Sequence, residues 1–346
     1  MTPKLKQTHT MIAFWVFLIL ILPVRCYQLL FEMEDGTGYL KTGAVTQYLM
    51  PALIILAVLT LCVCALTGKK VKHFYPATGY YPLGVMGIGL ALAIAYECGD
   101  QFNILSEKMQ EERQIVEKVV GAGQLLFAVL AVFLLVIMYA RYLVRNDSYR
   151  NFRLMGLCFP VWAVFYTTKS YLGLSVVANI SENVYDILFL CAVTLFIFSQ
   201  SKVLAGIGEK SDLRKTVLFG LLTSLLGFID YIPRQTAVLL GNADVQDFLK
   251  RFSVPLAGFF EREGVFSKKV LSDTTQPKIL FVVIALYAFV FVLALIRTGK
   301  KPDVQEDQAD PETAPQTVRQ DEPSPDTEPE PDELWDGWEA EEDPEG

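Results

Sequence analysis

Long apolar blocks separated by short polar segments dominate the first 300 residues. A helix rises about 1.5 Å per residue and the hydrocarbon core is about 30 Å thick, so roughly 20 mostly apolar residues cross a bilayer. Eight blocks approach that length: residues 11–24, 45–67, 79–96, 119–140, 154–174, 184–199, 217–232 and 279–296. They predict an all-α fold, a polytopic membrane helix bundle of about eight transmembrane helices. The first block is short and follows Lys4 and Lys6, as in a signal peptide. It lacks an A-x-A site, and Arg25 occupies the small residue's place in LPVRC, so an uncleaved first helix is expected.

Two connecting segments carry helical patterning of their own. In SEKMQEERQIVEKVV, Ser106 has the chemistry of an N-cap, and Met109, Ile115, Val116 and Val119 share a stripe. The fourth span is therefore expected to start in solvent. The long connection 233–278 contains Val245, Phe248, Leu249 and Phe252 at i, i+3, i+4 and i+7. This is read as an amphipathic loop helix on the outer side, lying on the bilayer or packed on neighbouring loops.

Charge divides the chain. The 44 residues from Asp303 onward hold 18 Asp and Glu against Arg319 alone, a net of −17. The total is −8, so residues 1–302 carry +9. Two regions follow: a transmembrane bundle, 1–302, and an acidic cytoplasmic tail, 303–346. The tail is too polar to offset its ordering entropy and is expected to be disordered. Lys and Arg concentrate in the short segments on one side, sixteen of them against twelve spread over longer segments on the other. The positive-inside rule then places both termini in the cytoplasm of a cell bounded by this plasma membrane.

Candidate chemistry is sparse. Lys169, Glu182 and Asp186 fall near the outer ends of the fifth and sixth spans, where Lys169 and Asp186 have the spacing of an ion pair across antiparallel neighbours. With Glu97, Asp100 and Asp230 they form either an outward-facing polar pocket or a structural ion pair among solvated helix ends. Cys26 and Cys98 fall near the same surface, which leaves a disulfide open. There are two histidines, His9 and His73, and no H-E-x-x-H, G-x-S-x-G or phosphate-cradling motif. No enzyme activity, cofactor, metal or nucleic-acid partner is expected; the bilayer is the expected environment.

At the tail's end, Leu334, Trp335 and Trp338 would share one small helical face ringed by carboxylates. That face suits docking on a basic cytoplasmic protein partner, or on the chain's own basic loops. Two stretches, FEMEDGTGYL and SENVYDILFLCAVTLFIFSQSKVLAG, resemble uncharacterised multi-span membrane proteins of clostridial-type bacteria. The resemblance implies a bacterial inner-membrane setting and supplies no activity or site residues. The expected function is a non-enzymatic scaffold or sensor with a docking tail. The alternative is a transporter or permease for a small solute, using a polar site near the outer face.

Overall fold

The computed structural model describes residues 4–32, 40–41, 43–67, 80–108, 115–144, 155–175, 181–205, 211–241 and 278–298. Every described residue belongs to one compact unit, 1–303. Among the described residues it contains eight α-helices: α1 Lys4–Tyr27, α2 Thr46–Thr67, α3 Tyr81–Lys108, α4 Ile115–Leu143, α5 Cys158–Ser175, α6 Ser181–Ala205, α7 Asp212–Gly241 and α8 Ile279–Thr298. A π-turn, Gln28–Glu32, extends α1, and a 3-10 turn, Met155–Leu157, leads into α5.

Seven of these helices are long and apolar enough to cross a membrane. The exception is α5, whose 18 residues include Lys169 and several hydroxyl-bearing side chains. It nonetheless packs between α4 and α6. Its Phe165 ring stacks on Phe127 of α4 at 5.5 Å. On its other side the hydroxyls of Thr167 of α5 and Thr194 of α6 are hydrogen-bonded to each other at 2.9 Å, beside Leu190 O.

Successive helices from α3 to α8 each lie against the next, and α8 closes back on α3. The pair α1 and α2 packs outside this ring, against α7. α7 is thus the hub, with 67% of its apolar window buried against 22% for α2. Its glycines explain how it reaches that position. A Cβ on Gly227 would lie 2.6 Å from Ala285 of α8 and 2.8 Å from the Phe189 ring of α6. Close approach of this kind is how membrane helices gain packing without a hydrophobic driving force between them. The same contact lets Ser224 of α7 reach Ala285 O of α8 at 3.0 Å.

The interior is aromatic. Trp162, Tyr139, Tyr287, Phe189, Phe196, Phe281 and Phe291 are all buried. The outward faces are also apolar, with Ile19 70%, Phe133 68% and Leu92 65% exposed. Large aliphatic and aromatic groups on every outer surface suit hydrocarbon, not water, as the surrounding medium.

Two expected boundaries differ. Ser106 is not a cap: α3 runs through it to Lys108, and the next described helix starts at Ile115. Nor does Pro233 open a loop, because α7 continues through it to Gly241. Proline is tolerated inside such helices where neighbours satisfy the freed backbone group. The expected loop helix around Val245–Phe252 and the whole tail, 303–346, lie outside the described residues. All six cysteines are free, Cys26 and Cys98 included.

The packing gives a direct test. The Tyr139 ring rests against the backbone of Gly87, leaving no space for a Cβ, whereas nothing lies within 4 Å of a Cβ on Gly89, two residues away. Gly87→Ala is expected to lower stability by about 1–3 kcal/mol through overpacking, and Gly89→Ala to leave it unchanged or slightly improved. Thermal unfolding of the two variants in lipid nanodiscs checks the difference.

Candidate functional site

Charged side chains inside an apolar bundle are costly unless paired, and they concentrate here at one end. The groups come from the C-terminal parts of α1, α3, α5 and α7 and from the N-terminal parts of α6 and α8. Arg234 is the centre. It stands seven residues, about 10 Å, before the end of α7, and it is 1% exposed. Its Nη2 donates to Asp186 Oδ1 of α6 at 2.8 Å. The same nitrogen lies 2.8 Å from Asp230 Oδ1, one turn back on α7. The second contact has the distance of an ion pair without hydrogen-bond angles, so it acts chiefly through charge.

Asp186 is clamped from a third helix. Lys278, immediately before α8, donates to Asp186 Oδ2 at 3.1 Å. Its side chain is 39% exposed, so this arm reaches the edge of the cluster while Asp186 and Arg234 stay inside. Two aspartates, one arginine and one lysine thus balance. The residue before Asp186, Tyr185, receives the Arg25 guanidinium of α1 over its ring, 4.2 Å from the centroid. Arg25 is 1% exposed and also donates to Gln28 Oε1 in the π-turn. The first two turns of α6 are therefore held by cations from α1, from α7 and from the residue preceding α8.

A second polar line joins α3 to α5. Lys169 donates to Gln101 Oε1, and Gln101 Nε2 donates to Glu97 Oε1 at 3.0 Å. Tyr166, one turn before Lys169, is buried and within electrostatic reach of both Glu97 and Asp186.

Among the six residues singled out from sequence, Asp186 and Asp230 meet through Arg234, and Lys169 and Glu97 meet through Gln101. Asp100 is exposed and makes no hydrogen bond or ion pair among the described residues. Glu182 lies in the first turn of α6, and its side chain is outside the described residues. The expected partner of Asp186 is corrected: it pairs with Arg234 and Lys278, not with Lys169. Arg25, Gln101, Tyr185, Arg234 and Lys278 were not singled out. One signal for Arg234 was present, because Asp230 and Arg234 have the i, i+4 spacing of a helical ion pair.

No protein family, curated protein or solved structure matches the chain. The site is therefore read from its own chemistry. Its carboxylates face guanidinium and ammonium groups. Among the described residues, no three His, Cys, Asp or Glu side chains converge as a metal site requires.

Breaking a buried pair strands its partner, at a cost of about 3–5 kcal/mol. Arg234→Met is expected to lose that much, since it leaves two buried carboxylates around a methionine. Lys278→Met should cost far less, because solvent already screens that side chain. Combining Asp186→Asn with Arg234→Met should recover part of the loss. A double-mutant cycle on thermal or denaturant unfolding reads the coupling, and a coupling near zero would refute the pairing.

Proposed function

We propose that this integral membrane protein is a non-enzymatic scaffold or sensor of the plasma membrane, with all eight helices crossing and both termini cytoplasmic. The alternation of helix ends supports eight crossings. The charged end takes its residues from the C-terminal parts of the odd-numbered helices and from the N-terminal parts of α6 and α8, and α5 conforms through Lys169 on Gln101. The Lys and Arg asymmetry of the connecting segments supports an outward position for that end.

The observation that carries the sensor reading is the Asp186 junction. A single carboxylate is shared between buried Arg234 and part-exposed Lys278. The arrangement links something that can be touched from outside to the packing of α6 and α7, the latter being the hub. On this reading the acidic tail, through Leu334, Trp335 and Trp338, passes the state of the bundle to a cytoplasmic protein partner or to the chain's own basic loops.

A second reading is favoured by the two polar lines at one end of the bundle. Lys169 and Gln101 join α5 to α3, and Arg234 and Asp186 join α7 to α6, which is polar character of the kind a transporter or permease for a small solute would need. Substrate groups would then engage the same Lys169, Glu97 and Asp186.

Complementation of a deletion strain separates the two, with variants matched for membrane abundance. For a scaffold, a chain cut after Pro302 fails to complement, and so does full-length protein carrying Leu334→Ala, Trp335→Ala and Trp338→Ala. For a transporter, the cut chain complements while Asp186→Asn does not. Full activity of the cut chain would end the docking reading.

A further inference from the structure

Away from the charged end, the bundle holds a second buried polar group, built without any charge. Gln200 follows Asp186 on α6 by 14 residues, about 21 Å along the axis. Its Nε2 donates to the Tyr287 hydroxyl of α8, which is hydrogen-bonded to the Tyr139 hydroxyl of α4. All three side chains are at most 2% exposed. The Phe196 and Phe291 rings flank Tyr287, each with its centroid 6.2 Å away. The backbone of α3 at Gly87 closes against Tyr139.

The hydrogen-bond accounting of this group does not close. Gln200 Oε1 is buried and has no hydrogen-bond partner among the described residues. Exchanging the amide's oxygen and nitrogen leaves the same deficit, because only one end of the amide reaches Tyr287. A buried amide group left unpaired costs about 1–3 kcal/mol, and interiors meet such groups with protein or with ordered water. No charged residue is among the three, so a cation or anion would find no compensation. A small neutral molecule that both donates and accepts meets the requirement. Water does so with two to four hydrogen bonds, which is how buried waters are normally held.

We propose that Gln200, with Tyr139 and Tyr287, binds one water molecule in the bundle interior where α4, α6 and α8 meet. The water donates to Gln200 Oε1 and completes a polar junction in otherwise apolar surroundings. It makes Gln200 a binding residue rather than a tolerated defect.

The test uses the full chain in lipid nanodiscs, imaged at a resolution that shows ordered waters, as wild type and as Gln200→Leu. Wild type is expected to show one compact density within hydrogen-bond distance of the Gln200 amide, and the variant none. Gln200→Leu should also unfold at a lower temperature, since it loses the tyrosine contact and the bound water together. A wild-type map without that density, or with a larger molecule in its place, overturns the proposal. So does a variant that melts at or above the wild-type temperature, as removing a dry, unpaired carbonyl would produce. Should the variant fail to fold, the wild-type map alone decides.

Discussion

Placing a carboxylate and a guanidinium in a low-dielectric interior costs several kcal/mol per ion, and mutual attraction offsets that only with close geometry. Asp186 and Arg234 meet this condition at 2.8 Å with both side chains nearly inaccessible. Much of the rest of the architecture follows from keeping them together. α6 must present its first turns to the end of α7, α7 must continue past Pro233 to carry Arg234 inward, and Lys278 must enter α8 beside them. Such a pair adds little net stability over an apolar substitute, yet it penalises every register that separates its members. Its effect is on which helices meet and at what height.

Small residues and aromatic rings complement that constraint. The charged groups fix one end, while along the rest of α7 the glycines set how near α6 and α8 approach. Gly220 would place a Cβ 2.6 Å from Val292, and Gly227 one equally near Ala285. Bulky rings from α6 and α8 fill the space beside this hub. The neutral junction of Tyr139, Tyr287 and Gln200 joins three of the ring helices at a different level. α6 and α8 are thereby cross-linked twice, once by charge and once by dipoles.

Apolar length made the positions of the spans legible in the sequence, since it depends only on local composition. Helix ends were less legible. Local rules read Pro233 as a stop and Ser106 as a start, but α3 runs through Ser106, and α7 runs past Pro233 to bring Arg234 to a carboxylate 48 positions away. Charges inside apolar blocks drew attention to Asp186, Asp230, Lys169 and Glu97. Their partners were harder to see, because Arg234 and Lys278 looked like members of a solvated loop. Assigning Lys169 to Asp186 used proximity along two adjacent helices; the fold instead turns Lys169 toward α3 and Asp186 toward α7.

The one-turn spacing of Asp230 and Arg234 also bears on how the chain enters the bilayer. Within α7 the two side chains neutralise each other before any other helix has arrived, so the segment can leave the insertion machinery as a nearly uncharged dipole. α6 has no such internal counter-ion among its described residues for Asp186, and Lys169 lies in α5, the one of these eight helices without a stretch apolar enough to cross a membrane by itself. In a bilayer, electrostatics would then set an order of assembly. The charged turns of α5 and α6 gain their compensation only when later-made or distant segments dock, and α7 is the segment that can wait in lipid for them.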